Sequence, residues 1–390
     1  MGEAKNMPGL FPMTEPTPPD NVTEWNATGI LPYQAIRAMI ASREVASIEP
    51  ILENQIQPAS LDLRLGRWAH RVQASFLPGR ENTVMEKIQQ LDGEPKIDLQ
   101  DGTVFEKGVV YVVELQENVK LNSQTEGVAN PKSSTGRLDV LTRLITDKST
   151  AFDKIEKGYR GALYIEIAPQ TFSIIVRKGS RLNQVRFQRG SPTIAASEAR
   201  KNYDEGQFVR VEGDRLPLLD NMVPVTVDLL GGGPDSVVGY RARKHAPKID
   251  IDKPRHYDPQ LYWEPIHGAD GRLVLNPDEF YILATREEVG VPPNLAAEMV
   301  PFHSSSGEFR VHYAGFFDPG FGWDGRAEGS RAVLEVRSYG VPFTLDHAQI
   351  VGWLRYGRMA GKPDRTYGDN IRSNYQRQGV ALAKHFLPFS

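Results

Sequence analysis

Alternation of apolar and polar residues is the main pattern of this chain, and it predicts short β-strands. Val109–Leu115 and Ala162–Ile167 show it in the first half, and Phe280–Ala284 shows it in the second. Further strands are predicted at Ser60–Gly66, Val223–Leu230, Val333–Val336 and Ile350–Tyr356. Gly and Pro separate these segments, and Leu31–Ala41 alone has the apolar spacing of a short helix. Short strands at this spacing predict a mainly-β barrel or jelly roll with few short helices.

The chain also contains a long internal repeat. Lys107–Val119 resembles Pro277–Val289, and a glycine turn followed by a glutamate-bearing strand occurs twice, with Glu166 and with Glu335. The shift of about 170 residues is far longer than a solenoid unit and has the size of a domain. A chain of 390 residues exceeds what one hydrophobic core usually serves. The sequence therefore predicts two tandem domains of one design.

Composition and pattern give the expected domain limits. Residues 1–28 are rich in Pro, Asn and Glu, which predicts a flexible or strapping N-terminal arm. The charged, weakly patterned stretch Glu198–Arg215 separates the two sets of strands. We therefore expect a first domain at 29–215 and a second at 216–390. The run Gly231–Pro234 has too few flanking signals for a phosphate loop and predicts a plain turn.

Charge and composition exclude several classes of function. A net charge of −3 argues against a nucleic-acid polymer as partner, because such binders usually carry a basic excess. The absence of cysteine excludes disulfides, thiolate metal sites and a cysteine nucleophile. No apolar run reaches about 18 residues, and the N-terminus lacks a basic segment followed by an apolar one. We expect a cytoplasmic protein with neither a membrane span nor a signal peptide.

One turn is rich in groups that can bind phosphate. Asn130–Arg137 combines the cations Lys132 and Arg137 with the hydroxyls of Ser133 and Ser134. An arginine there can bind phosphate oxygens in a bidentate manner. By itself the pattern is weak, since Ser/Thr/Gly clusters with a lysine are usually solvated turns.

The two strand glutamates are the other candidate chemical groups. Burial on an apolar strand raises the pKa of a carboxyl group towards the neutral range, which suits acid–base work at Glu166 or Glu335. The alternative is a strand carboxylate paired with a nearby arginine, such as Arg160 or Arg337. Without further information the residues favour that alternative.

Four motifs in order resemble those of deoxycytidine triphosphate deaminases. They are Gln57–Gly66, Lys132–Arg137, Gly158–Glu166 and Arg181–Phe187. The resemblance runs from Leu31 to Gly379, and it is to the longer, duplicated form of the deaminase. It implies two tandem dUTPase-like β-barrel domains, each a distorted jelly roll. It also implies a hydrolase that converts dCTP to dUTP and ammonia and so supplies thymidylate synthesis.

The resemblance implies a mechanism without zinc. A strand glutamate takes a proton from water, hydroxide attacks C4 of cytosine, and the same carboxyl group returns the proton to ammonia, assisted by an Arg and a Ser of the phosphate motif. The zinc deaminases need a Cys-containing signature that this cysteine-free chain lacks. Magnesium bound to the triphosphate is the expected counter-ion, because a charge of about −4 needs more than one Lys and one Arg.

Each half departs from the family pattern in a different place. In the first half, Glu156–Gly158 replaces the Asp-Pro-Gly turn. The second half keeps that turn at Asp318, but its phosphate motif 303–308 carries Glu308 instead of an arginine. We therefore predict a composite site. It joins Ser133, Ser134 and Arg137 to Ala314, Asp318 and Glu335, whereas the rival assignment keeps Glu166 with Ser133 and Arg137.

The C-terminal segment resembles the deaminase tail that covers the nucleotide, which implies substrate contacts by Tyr367, Tyr375, Arg377 and Gln378.

Two other functions stay open. The first is dUTP pyrophosphatase activity, alone or combined with deamination, with Asp318 as the base. The second is a non-catalytic, regulatory nucleotide-binding protein. The expected ligand is dCTP, with dUTP and dTTP as further candidates, and the expected assembly is a homo-oligomer with a trimeric arrangement of barrels.

Overall fold

The structure is a computed structural model that describes residues 27–91, 96–213, 215–268, 270–300, 309–312, 315–325, 327, 330–338, 340–368 and 379–389. Strands dominate the described residues and helices are short, so the predicted mainly-β class is confirmed. None of the described helices has the length and apolarity that crossing a membrane requires. Residues 1–26 of the predicted N-terminal arm lie outside the described residues.

Two large sheets form most of the first half, and β6 and β12 belong to a third, small sheet. Its helices are α1 (Tyr33–Ala41), α2 (Val84–Gln90) and α3 (Ser133–Gly136). Its strands are β1 (Gly29–Ile30), β2 (Val45–Ser47), β3 (Leu61–Leu63), β4 (Leu65–Val72), β5 (Ile97–Asp98), β6 (Thr103–Phe105), β7 (Val110–Lys120), β8 (Thr125–Pro131), β9 (Val140–Thr146), β10 (Lys154–Ile155), β11 (Arg160–Pro169), β12 (Ile174–Val176) and β13 (Asn183–Arg189). One sheet has the order β5-β4-β7-β11-β9, with β2 beside β7. The other has the order β1-β13-β8-β10, with β3 beside β13. Apolar residues of both sheets, such as Val113, Ile165 and Phe187, meet in one core.

The second half repeats this arrangement. It contains α4 (Ala196–Asp204). Its strands are β14 (Val209–Arg210), β15 (Val223–Thr226), β16 (Val237–Ala242), β17 (Ile249–Asp250), β18 (Trp263–His267), β19 (Arg272–Leu275), β20 (Phe280–Val289), β21 (Leu295–Val300), β22 (Phe309–His312), β23 (Phe316–Phe317), β24 (Arg331–Ser338), β25 (Phe343–Asp346) and β26 (Ile350–Arg358). The sheets β18-β16-β20-β24-β22 and β15-β26-β21-β23 correspond to the two large sheets of the first half. A second core includes Leu283, Leu334 and Leu354.

The register of the strands shows the duplication residue by residue. Glu166 on β11 lies opposite Val112 and Arg143. Glu335 on β24 lies opposite Ile282 and His312. The two glutamates therefore occupy the same position in their sheets, but the residue at the neighbouring position of the outer strand differs.

The two halves share apolar packing and an ion pair. Strand β17 of the second half runs parallel to β12 of the first, and the Arg177 guanidinium lies 2.8 Å from the Asp250 carboxylate. Trp263 and Phe386, from the second half, pack with Phe172 in the first core. These contacts hold the two halves together, and the cavity described below lies between them.

Helices α2, α3 and α4 were not predicted from the sequence, and α3 falls in the segment that was predicted as a turn. Thr83 caps α2 by accepting a hydrogen bond from the Glu86 N–H, and the Glu86 carboxylate accepts one from the Thr83 N–H in return, a capping box that the spacing Thr-X-X-Glu could have indicated. Helix α4 lies within the stretch considered weakly patterned. Its Ala199 and Tyr203 are buried in the second core, although this stretch was assigned to the first domain.

Candidate active site

A cavity of about 910 Å³ lies between the two halves. The predicted residues that line it are Lys132, Ser133, Ser134 and Arg137 from the first half, and Asp318, Glu335 and Tyr367 from the second. Glu166 is not part of this lining. The predicted residues Ala314, Tyr375, Arg377 and Gln378 lie outside the described residues. The volume falls within the usual range for small-molecule sites, roughly 300–1,000 Å³.

The phosphate-motif turn is held in place by its backbone and by an ion pair. The Lys132 N–H donates to the Leu182 carbonyl at 2.9 Å, and the Thr135 N–H donates to the Lys132 carbonyl at 2.8 Å. The Lys132 ammonium pairs with the buried Asp62 carboxylate on β3. The Ser134 and Arg137 side chains are buried as well. The turn therefore presents hydroxyl and cationic donors from a fixed backbone.

Glu335 is a buried carboxyl group with an unusual proton affinity. It is 6% exposed, and burial raises its pKa to about 8, although the Arg137 guanidinium opposes this rise. The shortest distance between the two side chains joins Arg137 Nε and Glu335 Oε1 at 3.9 Å. A carboxyl group that exchanges its proton near neutral pH suits general acid–base catalysis.

Glu166 has a different environment at the equivalent position. Its Oε1 accepts hydrogen bonds from Arg143 Nε at 2.9 Å and from Arg143 Nη2 at 2.5 Å. The Arg143 guanidinium also lies 4.0 Å from the centre of the Phe152 ring. The arginine that pairs with Glu166 is thus Arg143 rather than Arg160. The carboxylate of the first-half copy is neutralised locally and does not reach the cavity lining.

The turn that carries Asp318 requires glycine. Gly320 has φ +90°, and a Cβ there would lie 2.8 Å from Thr366 Cβ. The Tyr367 N–H donates to the Pro319 carbonyl at 2.7 Å. Because the Phe321 and Tyr367 rings also pack at 5.4 Å between centroids, the segment before the tail is anchored on this turn. In the first half the equivalent residues Glu156, Lys157 and Gly158 are exposed.

Arg186 is a site residue that the sequence analysis missed. Its side chain is buried, and its guanidinium donates to the Ala297 and Phe317 carbonyls and, at 3.1 Å, to Asp318 Oδ1. It also lies 4.1 Å from the centre of the Phe316 ring. Burial raises the pKa of Asp318, and the Arg186 charge opposes that rise. An arginine of the first half therefore fixes the turn of the second half that carries Asp318. Its position within the quoted motif Arg181–Phe187 was the available signal.

Further cations line the cavity. Arg181, Arg365 and Lys384 are part of the lining. Burial lowers the pKa of Lys384, and the neighbouring Lys132 charge lowers it further. Together with Lys132 these groups can bind a polyanionic ligand, although Asp62 and Glu53, which also belong to the lining, already contact Lys132 and Arg365. Arg181 belongs to a quoted motif, whereas nothing in the sequence around Arg365 or Lys384 singled them out.

The chain matches two family models that together span most of its length. Residues 27–191 match the N-terminal domain of 2′-deoxycytidine 5′-triphosphate deaminase, and residues 195–386 match its C-terminal domain. The crystal structure of 2′-deoxycytidine 5′-triphosphate deaminase from Agrobacterium tumefaciens is 48% identical to this chain, with a TM-score of 0.80. The match covers 86% of this chain and 100% of that one.

Shorter curated relatives match part of the chain. The dUMP-forming dCTP deaminase of Methanothermobacter thermautotrophicus is 31% identical over 45% of this chain and 83% of its own length. The corresponding protein of Halobacterium salinarum is 31% identical over 35% of this chain and 67% of its own length. From these matches, the dUTPase-like β fold and the order of the motifs, the chain belongs to the 2′-deoxycytidine 5′-triphosphate deaminase family, whose members are hydrolases that act on the amino group of cytosine.

Proposed function

We propose that this chain hydrolyses dCTP to dUTP and ammonia, with Glu335 as the group that moves the proton. The carrying observation is that Glu335 lines the same cavity as Ser133, Ser134 and Arg137, and that burial raises its pKa to about 8. Glu166 is paired with Arg143 and is not in that lining. The arrangement favours a composite site made of both halves.

The proposed reaction uses one carboxyl group twice. Ionised Glu335 takes a proton from water, and the resulting hydroxide forms a bond to C4 of cytosine. The protonated carboxyl group then returns that proton to the amino group, the C4–N bond breaks, and ammonia leaves. A pKa of about 8 permits both steps near neutral pH. Arg137, at 3.9 Å, favours the ionised form that begins the cycle.

The triphosphate is proposed to lie beside Lys132, Arg181 and Lys384 of the cavity lining. Lys132 is already paired with Asp62, so it supplies less than a full positive charge. Arg181 and Lys384 add charge from neighbouring positions in the lining. Magnesium belongs to this proposal as part of the substrate, because it arrives on a triphosphate of about −4 and neutralises part of its charge. No described residue needs to hold the ion in advance.

A second candidate is the dUMP-forming reaction, in which pyrophosphate is also released. It is favoured by the names of the curated relatives, which are dUMP-forming dCTP deaminases. Asp318, at the cavity and held by Arg186, is the carboxylate proposed as base for water attacking the triphosphate. The regulatory alternative predicts that dCTP binds and is not turned over. Product analysis separates all three.

The test is incubation of the purified protein with magnesium and dCTP, with chromatography of the products and an assay for pyrophosphate. Glu335→Gln and Glu166→Gln are matched variants, because each removes a charge from the same position of one half. We expect Glu335→Gln to lose about 10²–10⁴-fold in kcat, with dCTP still bound in calorimetry. We expect Glu166→Gln to stay within a few-fold of wild type. The reverse result would sink the assignment.

Each pattern of products has its own meaning. Formation of dUTP without pyrophosphate establishes the simple deaminase, and dUMP with pyrophosphate establishes the bifunctional enzyme. Binding without either product supports the regulatory alternative. The homo-oligomer with a trimeric arrangement of barrels, the cytoplasmic location and the contacts of Tyr375, Arg377 and Gln378 stay predictions.

A further inference from the structure

A second ion pair crosses the interface between the halves beside Arg137 and Glu335. The Arg337 guanidinium donates from Nε at 2.9 Å and from Nη2 at 2.7 Å to Asp139 Oδ2. The Thr171 hydroxyl donates to the same oxygen at 2.5 Å. Asp139 is fully buried and Arg337 is 8% exposed. Neither residue is part of the cavity lining. This second pair is therefore a contact within the protein.

The two ion pairs have opposite polarity and the same spacing. In the first half Arg137 is followed two residues later by Asp139, and on β24 Glu335 is followed two residues later by Arg337. Residues two apart on a strand point to the same face, so both β24 side chains extend towards the first half. Arg137 then meets Glu335, and Asp139 meets Arg337. Sliding one half along the other would bring like charges closer together.

The Asp139 end of this contact has a fixed backbone. Asp139 has φ +56°, a left-handed conformation that aspartate tolerates better than most residues. Its N–H donates to the Gly136 carbonyl at 2.8 Å, and its own carbonyl accepts from the Gln170 N–H at 2.8 Å. The carboxylate is therefore held at a defined place at the end of the turn that carries Arg137.

We propose that Asp139 and Arg337 are positioning residues that hold Arg137 and Glu335 in register across the domain interface. The inference rests on the proposed function and deepens it. The contact between Arg137 and Glu335 is long, at 3.9 Å, so it does not by itself fix the distance between the two halves at the site. The contact between Arg337 and Asp139 is shorter and contains two hydrogen bonds, so it fixes that distance. A misplacement of about 1 Å at a reacting group can reduce the rate about 10²-fold.

The Asp139–Arg337 pair also affects the pKa of Glu335. The described charged groups close to Glu335 are Arg137 and Asp139 from the first half and Arg337 on its own strand, and His312 occupies the paired position on β22. The Asp139 charge raises the pKa of Glu335. Replacing Asp139 by Asn removes that charge, so the pKa of Glu335 falls and the acid limb of the kcat/KM profile moves to lower pH.

The experiment compares Arg337→Met, Asp139→Asn, the double variant and Arg337→Lys with wild type. Arg331→Met is the matched control. It removes an arginine from the same strand whose partner, Asp228, lies in the second half and outside the cavity lining. Each protein is measured for kcat and KM with dCTP, for the pH profile, for dCTP binding by calorimetry and for melting temperature.

We expect both single variants to lose about tenfold to hundredfold in kcat, while the dissociation constant of dCTP changes less than about threefold. The double variant removes both charges of the Asp139–Arg337 pair, so its melting temperature returns towards wild type while its kcat stays low. Arg337→Lys recovers part of kcat because it keeps the charge, and Arg331→Met keeps the kcat of wild type.

Two results would overturn the inference alone. One is wild-type kcat in a single variant that is folded and binds dCTP. The other is a double variant in which kcat recovers together with melting temperature, since that pattern belongs to a structural pair without a positioning role. If the single variants fail to fold, the kcat of the folded double variant still tests the inference. A wild-type protein that does not deaminate dCTP overturns the proposed function itself, and this inference with it.

Discussion

Replacing Glu335 by Gln should make the protein more stable above about pH 5 while lowering its kcat about 10²–10⁴-fold. The reason is the buried position of the carboxyl group, which raises its pKa from 4.5 to about 8. Below pH 4.5 the group is protonated in both the folded and the unfolded chain, and it does not affect the pH dependence. Between the two pKa values the unfolded chain releases the proton and the folded protein keeps it. Stability is therefore lost as the pH rises through this window.

The size of the effect follows from the shift. Each pH unit within the window changes the free energy of unfolding by about 1.4 kcal/mol. Between pH 5 and pH 7 the wild type should lose about 3 kcal/mol through this group, and the loss should level off above about pH 8. Gln has nearly the same shape and no proton to release, so the variant escapes this loss. For a folding unit of 150–250 residues, about 3 kcal/mol corresponds to roughly 6–12 °C in melting temperature.

The assay is a pair of thermal melts, wild type and Glu335→Gln, at pH 5, 7 and 9 in buffers of equal ionic strength. Every other titrating group is present in both proteins, so the difference between their melting temperatures isolates Glu335. We expect a small difference at pH 5 that grows up to about pH 8 and then stays constant. A difference that is the same at all three values would refute the raised pKa and the role in proton transfer that depends on it.

Two further substitutions test the surroundings of the site. Arg186→Met leaves Asp318 buried without its cation, and it should cost about 3–5 kcal/mol, measured in urea unfolding; Arg186→Met combined with Asp318→Asn should recover much of this loss, and no recovery would contradict the argument. Lys384→Met should raise the KM for dCTP at least several-fold with little change in kcat, because the residue lines the cavity beside the proposed triphosphate site. An unchanged KM in steady-state kinetics would remove Lys384 from the proposed triphosphate site.

The strand pattern was predictable because it depends on local alternation. All of Val109–Leu115 except Val109 lies within β7, Phe280–Ala284 lies within β20, and Leu31–Ala41 matches α1 closely. Prediction from the sequence failed for elements whose formation depends on tertiary packing. Helix α4 has few apolar residues, and only contact with the second core explains why Ala199 and Tyr203 are its buried positions.

The composition of the site was predictable in part, and its geometry was not. Local motifs indicated the phosphate turn and the two glutamates, because hydroxyl, cationic and carboxyl side chains can be recognised as candidate chemical groups from the sequence alone. Arg186 and Arg337 contact residues more than a hundred positions away. The motif that contains Arg186 and the strand that contains Arg337 do not reveal which distant residue each arginine contacts. Which glutamate lines the cavity also depends on how the halves pack, and no pattern within either half records that.

Glu166 and Glu335 occupy equivalent positions in the two halves, but their environments differ. Both glutamates occupy the same place in the same kind of sheet, and both are buried. The first has Arg143 within hydrogen-bond distance, which satisfies its charge inside its own domain. The second meets Arg137 only across the interface, at 3.9 Å, so burial dominates and its pKa rises. Because the cation that Glu335 meets belongs to the phosphate turn of the other half, the site that we propose needs both halves. In that proposal the first-half glutamate has no part in proton transfer, and activity depends on the two halves staying joined in this register.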